Sequence, residues 1–278
     1  MKVGMNLLLW TAAADTQHLP LLKSIKQWGF DGVELPMFSL DGSPWRDLSN
    51  ALDDLGLGRT VVAVLPPGAN LISDNAAERT AAVDFIKGCV DKSAELGAET
   101  VAGPLYSPVG RLVGRGPTDQ EKDWCVEGLK SAAKHSEGSG VALSVEPLNR
   151  FETYFLNSEA DAVSLLQRVG HENVGILYDT FHANIEEKGV ADAIKTGGKL
   201  INHVHISAND RATPGEDHVH WAETFKALKA AGYDGWLTIE AFGSRLPELA
   251  GATCIWRKMA PSEEHVAQKG LEFIRQSW

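Results

Sequence analysis

The stretch VALSVEPLNRFETYFLNSEADAVSLLQRVGHENVGILYD, residues 141–179, decides the fold. A short apolar run opens it, a segment with apolar residues at helical spacing follows, and a second apolar run closes it. This order predicts two buried parallel strands joined by a helix. Both runs end on a carboxylate, Glu146 and Asp179, and burying a carboxylate is costly unless it has partners. The stretch therefore predicts parallel strands with charged groups at one end.

The same alternation of apolar run and helical pattern extends along the whole chain. The apolar runs cover residues 2–9, 30–35, 58–65, 99–105, 141–146, 173–179, 200–206 and 235–240. The helical patterns cover residues 18–29, 45–55, 76–97, 118–140, 158–170, 190–198, 221–232 and 263–276, with Thr118 and Ser158 as expected N-caps. Eight such pairs predict a single (β/α)8 barrel domain over residues 1–278, ending in a C-terminal helix. An open doubly wound sheet is the alternative, but no glycine-rich phosphate turn follows the first run.

Composition and charge exclude several classes of protein. The net charge of −11 argues against nucleic acid as a partner, because binding phosphates requires an excess of Lys and Arg. No apolar run approaches the roughly 20 residues of a membrane span, so no membrane partner is expected. Residues 1–15 imitate a weak signal peptide, but Asn6 interrupts the apolar run, and residues 2–10 are interpreted as a first strand instead. The three separated cysteines, Cys89, Cys125 and Cys254, predict reduced thiols in a cytoplasmic protein.

Four consecutive strands are predicted to end on groups that bind metals or transfer protons. These groups are Glu146, Asp179, His205 and Glu240. In a (β/α)8 barrel the C-terminal ends of the strands form the active-site face, so the four side chains should meet. Each one alone would more often be a helix cap, a salt-bridge partner or a simple hydrogen-bonding group. Together they would repel one another without a cation, and their oxygen-rich set suits Mn²⁺, Mg²⁺ or Co²⁺ better than a structural zinc, which prefers Cys and His.

Three polar residues follow these strand ends in the chain. Glu152, His182 and Arg211 are interpreted either as solvated loop residues or as groups that hold the hydroxyls and carbonyl of a substrate beside the metal. Glu34, near the end of the second strand, is left open between facing the site and a structural role.

A metal flanked by two carboxylates suits proton transfer at carbon. The cation would polarise a carbonyl and stabilise the enediolate that forms when the adjacent C–H proton is removed. One carboxylate would remove the proton and the other would return one. Return on the opposite face gives an epimer, whereas same-face return to the neighbouring carbon gives an isomer. The spacing does not decide between these outcomes.

Four segments in the C-terminal half carry a family resemblance. They are EPLNRFETYFLNS (146–158), YDTFHANIEE (178–187), HVHISANDRATPGEDHVHW (203–221) and ALKAAGYDGWLTIEAF (227–242), and WRKMA (256–260) follows them. The chain resembles the ketose 3-epimerases, the D-tagatose and D-allulose (D-psicose) 3-epimerase family of the xylose isomerase-like barrels. The N-terminal half matches more loosely, and its loop after the fourth strand has no Trp where members of that family often place one.

The resemblance implies a function for each site residue. Glu146, Asp179, His205 and Glu240 would bind one divalent metal, and Glu146 and Glu240 would transfer protons at C3. Glu152, His182 and Arg211 would hold the O1–O3 end of a free ketose such as D-fructose, D-tagatose or L-ribulose. The family usually forms homodimers or homotetramers, so an oligomer is expected.

Other functions on this type of barrel stay open from the sequence. An aldose–ketose isomerase or an inosose dehydratase would share the metal ligands. An abasic-site endonuclease would be expected to need more His ligands and a basic face. A non-catalytic sugar-binding barrel would not need both proton-transfer carboxylates.

Overall fold

The strands form a closed parallel barrel. In the computed structural model, which describes residues 1–278, each strand pairs in parallel with the next, and the eighth pairs with the first. The strands are β1 (Lys2–Asn6), β2 (Gly32–Pro36), β3 (Gly58–Val62), β4 (Thr100–Gly103), β5 (Ala142–Val145), β6 (Val174–Asp179), β7 (Ile201–Ile206) and β8 (Trp236–Ile239). This confirms the predicted (β/α)8 fold.

Ten α-helices connect or follow the strands. They are α1 (Leu19–Trp28), α2 (Trp45–Leu55), α3 (Ala76–Leu96), α4 (Asp119–His135), α5 (Glu159–Val169), α6 (Thr180–Glu186), α7 (Val190–Gly197), α8 (Trp221–Ala230), α9 (Pro247–Ala252) and α10 (Glu263–Ser277). Thr118 and Ser158 cap α4 and α5 as predicted, because their side chains accept hydrogen bonds from the backbone of the first turn. The C-terminal helix α10 packs against α8, β1 and β8. None of the helices is both long enough and apolar enough to cross a membrane.

Two apolar clusters stabilise the barrel. The main core buries side chains from all eight strands and from most of the helices. A separate small cluster lies at the C-terminal ends of β1, β3 and β8 and joins Leu8, Val62 and Phe242 to Ala250 in α9 and to Ile255. This second cluster attaches the segment after β8 to the active-site face of the barrel.

The structure differs from the sequence prediction at two kinds of element. The apolar runs extend beyond the strands: Leu7–Leu9, for example, form a 3-10 turn in which Asn6 caps the backbone of Leu8. Helices α6 and α9 were not predicted, since their seven and six residues are too few to show a helical period. The start of α6 is marked by Asp179, whose side chain accepts hydrogen bonds from the first turn.

Candidate active site

The four predicted ligands lie together at the C-terminal end of the barrel. Asp179 is the last residue of β6 and His205 lies in β7, while Glu146 and Glu240 directly follow β5 and β8. One side-chain oxygen or nitrogen of each residue lies within 4.8 Å of those of the other three, and all four residues are buried. The parallel register explains this, because Asp179 is paired with His205 and His205 with Thr238, two residues before Glu240. The barrel thus brings the strand ends to one level.

His205 is oriented by Glu34. Its Nε2 lies 2.7 Å from Glu34 Oε1, and the Nε2 of His203 lies 2.7 Å from Glu34 Oε2. Asn6 Nδ2 donates to Oε1 at 2.9 Å and Thr60 Oγ1 donates to Oε2 at 2.8 Å. Because the Glu34 carboxylate is surrounded by donors, the Nε2 of His205 carries a proton and its Nδ1 faces the ligand cluster. Glu34 therefore has a supporting role, which resolves the question that the sequence left open.

The charges around Glu34 favour its ionised form. Burial opposes that charge, but His205 and His203 hold the pKa of Glu34 well below its ordinary value. Burial likewise opposes a charge on His205, but Glu34 and Glu240 raise the pKa of His205 well above its ordinary value. The carboxylates around His205 thus favour a positive charge at this position, which a proton or a bound cation can supply.

Two buried atoms in the cluster have no hydrogen-bond partner. They are Asp179 Oδ2 and His205 Nδ1, which lie 3.6 Å apart. His205 Nδ1 is also 3.4 Å from Glu240 Oε1. Buried polar atoms without partners are rare, and lone pairs that converge from three carboxylates and an imidazole suit a divalent cation with oxygen-rich ligation. The residues present therefore fit the expected metal ion, and either Mn²⁺, Co²⁺ or Mg²⁺ would match this donor set.

Asp179 has a second contact through its other oxygen. Its Oδ1 accepts hydrogen bonds from the backbone N–H groups of Phe181, at 2.6 Å, and His182, at 3.0 Å. This oxygen caps helix α6, so Oδ2 is left directed at the cluster.

The two carboxylates predicted to transfer protons have different surroundings. Burial, followed by the neighbouring Glu240, raises the pKa of Glu146 well above its ordinary value. Glu240 is also buried, but the charges of His205 and Arg211 hold its pKa below the ordinary value, and Arg211 Nη1 donates to Glu240 Oε2 at 2.7 Å. Before a cation binds, these surroundings favour the protonated form of Glu146 and the ionised form of Glu240.

Two of the three predicted substrate residues, His182 and Arg211, adjoin this cluster, and the third, Glu152, is linked to His182 through Asn149. The Nε2 of His182 lies 3.6 Å from Glu146 Oε1 and 3.1 Å from Arg211 Nη2. Burial, and to a lesser extent the Arg211 charge, lowers the pKa of His182 to about 3, so its ring is neutral. Glu152 is half-buried, and its Oε1 accepts from Asn149 Nδ2 at 2.8 Å.

Asn149 connects two of these residues and was not singled out from the sequence. Its backbone N–H donates to His182 Nδ1 at 3.0 Å, which places the ring proton of the neutral His182 on Nε2, facing the site. Its side chain holds Glu152, and its Oδ1 accepts from the backbone N–H of Phe151. Only the Asn-containing turn in residues 146–152 pointed to this position, and turns of that kind are common. His203 was also missed, although it lies two residues before His205 in a strand and therefore on the same side.

Comparisons with known proteins agree on one family. A family model described as a xylose isomerase-like TIM barrel matches residues 22–277. The chain is 34% identical to a probable ketose 3-epimerase of Synechocystis, over 100% of this chain and 97% of that protein. It is 30% identical to a D-psicose 3-epimerase of Agrobacterium fabrum, over 94% of this chain and 91% of that protein. A solved L-ribulose 3-epimerase superposes with a TM-score of 0.94 at 29% identity, covering 99% of this chain and 94% of that one.

Proposed function

The chain belongs to the ketose 3-epimerases of the xylose isomerase-like TIM barrel family, and from that premise we propose a metal-dependent epimerisation at C3 of free ketoses. The observation that carries the proposal is the convergence of Glu146, Asp179, His205 and Glu240, with Asp179 Oδ2 and His205 Nδ1 left without partners. The expected substrate pairs are D-fructose and D-allulose, D-tagatose and D-sorbose, or L-ribulose and L-xylulose. The cofactor is one divalent ion, Mn²⁺ first and Co²⁺ or Mg²⁺ as alternatives.

The proposed mechanism uses two carboxylates at C3. A bound divalent cation would polarise the ketose carbonyl and stabilise the negative charge that develops on its oxygen. We propose that Glu240, which Arg211 holds in its ionised form, removes the C3 proton and that Glu146 returns a proton on the opposite face. For the reverse reaction the two residues exchange roles.

The polar groups beside the carboxylates would orient the reacting end of the sugar. The Nε2 of His182, which carries a proton, and the Nη2 of Arg211 lie 3.1 Å apart. Since both are donors, they suit one substrate oxygen that accepts from both. Glu152 offers a carboxylate oxygen to a neighbouring hydroxyl. These contacts would hold C3 between the two carboxylates.

The test is proton NMR in D₂O. Protein stripped of metal and reloaded with Mn²⁺ or Co²⁺ is incubated with each ketose, and the paramagnetic ion is removed before the spectra are recorded. Deuterium at C3 together with the C3-inverted product is the expected result. Deuterium at C1 with an aldose product would instead identify an isomerase, and no exchange into any ketose would reopen the dehydratase and sugar-binding alternatives.

Variants test the two carboxylates. Glu146→Gln and Glu240→Gln should each reduce turnover by at least about 100-fold while the protein stays folded, since a positioned acid or base contributes about 10²–10⁴-fold. Glu99→Gln is the control, because Glu99 lies at the opposite end of the barrel, where it accepts from Lys2 and Trp236. Residual activity within tenfold of the wild type in either site variant would contradict the two-carboxylate mechanism.

We also propose a homodimer or homotetramer. Support comes from four large apolar side chains that are exposed in the loops after β4 and β5, namely Val109, Leu112, Val113 and Phe151. The two loops adjoin, because the Gly110 N–H donates to the backbone oxygen of Glu152 at 2.7 Å. Exposed apolar groups that cluster in this way often mark interfaces. Light scattering of the protein as it elutes from a size-exclusion column measures the number of subunits, and a monomer would contradict the proposal.

A further inference from the structure

Arg211 has a backbone conformation that is unusual for its residue type. Its φ is +61°, in the left-handed region that only glycine adopts without cost. The conformation is held by two backbone hydrogen bonds of 2.9 Å, from the Arg211 N–H to the Ala208 oxygen and from the Phe242 N–H to the Arg211 oxygen. Strain of this kind persists only when the surroundings maintain it, so the direction of the Arg211 side chain is strongly determined.

Hydrogen bonds fix one edge of the guanidinium. Nη1 donates to Glu240 Oε2 at 2.7 Å and to Ser207 Oγ at 3.0 Å. These contacts set the position of the group at its edge. They leave its two faces to be held by other neighbours.

Aromatic rings supply those neighbours. The Cζ of Arg211 lies 3.8 Å from the centroid of the Phe181 ring and 5.1 Å from that of Phe242. The shorter distance is within the range of a strong cation–π contact, and the buried site increases its strength. Phe181 is itself fixed, because its backbone N–H donates to Asp179 Oδ1 in the first turn of α6. One helical turn thus connects a candidate metal ligand to the face of the arginine.

We propose that Phe181 is a positioning residue for Arg211. This inference rests on the proposed function and deepens it. The ring holds the guanidinium in the orientation in which Nη1 donates to Glu240 and Nη2 faces the substrate. Phe181 acts on turnover through Arg211 and not through contact with the sugar. Leucine at this position would fill similar space without offering a π face.

The experiment is a double-mutant cycle on kcat and KM with the metal-loaded enzyme. Phe181→Leu should lower kcat/KM by about 5- to 30-fold, the range expected for loss of one cation–π contact in a partly desolvated site. The loss should fall mainly on kcat, since Arg211 donates to the proposed proton-transfer group Glu240. Phe181→Tyr retains the ring face and should recover most of the activity. Phe225→Leu is the control for the loss of a buried ring outside the site.

The cycle separates positioning from direct contact. In an Arg211→Gln background, Phe181→Leu should change kcat/KM by less than about twofold, because the group on which it acts is gone. An unchanged full effect in that background would overturn the proposal and would assign Phe181 to the substrate itself. Failure of Phe181→Tyr to recover activity would also overturn it.

A second readout does not depend on turnover. In ¹H–¹⁵N spectra of the side chains, the Arg211 Nε–H signal should show a ring-current shift in the wild type and in Phe181→Tyr that is lost in Phe181→Leu. Equal shifts in all three proteins would overturn the positioning role. A wild type that epimerises no ketose would count against the proposed function, and the spectra would still decide whether Phe181 holds Arg211.

Discussion

Replacing Glu34 by Gln tests whether Glu34 holds His205 in place at the candidate metal centre. The Glu34 side chain is fully buried and accepts four hydrogen bonds, two on each oxygen, from His205, Asn6, His203 and Thr60. Glutamine has nearly the same shape but only one oxygen. Its amide nitrogen must face two of the four donors, and it carries no negative charge to strengthen the hydrogen bonds from the others.

The expected cost follows from these contacts. Hydrogen bonds to a charged group contribute about 1.5–3 kcal/mol each, so the loss of two predicts a decrease of about 3–6 kcal/mol in the free energy of unfolding. The tautomer of His205 is also no longer fixed. Loss of a group that orients a metal-binding histidine typically weakens metal affinity by about 10–100-fold.

Two measurements check this prediction. Urea unfolding in the presence of a chelator gives the stability of the metal-free protein, and calorimetric titration with Mn²⁺ gives the affinity. The matched control is Glu99→Gln, whose exposed contact with Lys2 should be worth less than about 1 kcal/mol. A decrease in stability below about 1 kcal/mol together with unchanged Mn²⁺ affinity would refute the role assigned to Glu34.

The remaining predictions concern the metal and one remote carboxylate. Mn²⁺ at 100 times its dissociation constant should raise the free energy of unfolding by about 2.7 kcal/mol. In Asp179→Asn this gain should be much smaller, although the side chain still caps α6. Equal gains for wild type and variant in calorimetric melts would contradict the ligand assignment. Glu121 accepts hydrogen bonds from Arg115, Thr118 and Tyr154, and although burial opposes its charge these contacts lower its pKa to about 2. A carboxyl whose pKa is lowered by folding stabilises the fold at pH values above its ordinary pKa. The difference in the free energy of unfolding between wild type and Glu121→Gln should therefore be largest at pH 6 and should shrink as the pH falls from about 4.5 towards 2. A difference that does not depend on pH would contradict this ion pair.

The strands and the convergence of the four candidate ligands could be predicted from the sequence because each depends on local information. Apolar runs give the strands, and the parallel barrel puts every strand end on one face, which brings Glu146, Asp179, His205 and Glu240 together without knowledge of any distance. The partners of Glu34 could not be found in this way. His203 and His205 are 169 and 171 residues further along the chain, and only the closed register brings them to Glu34.

The contacts between side chains inside the site could not be predicted from the sequence pattern either. Asn149 reaches His182 through its backbone N–H, a group that every residue except proline has. The stacking of Phe181 on Arg211 depends on a positive φ at Arg211, for which an arginine gives no signal. Contacts of this kind depend on how two loops meet, and periodicity does not describe loops.

The candidate ligands and the groups beside them lie at the C-terminal ends of β5 to β8 or in the segments that follow, whereas the first half of the barrel contributes Glu34 beneath them. The reacting end of a sugar would therefore be held by one half-barrel. The loops after β1 to β4 would then be free to surround the rest of the molecule. With this arrangement, substitutions in the first half of the barrel can change which sugars are accepted without altering the catalytic residues in the second half. Engineering of substrate preference would therefore vary the loops after β1 to β4 and keep residues 146–240 unchanged to retain turnover.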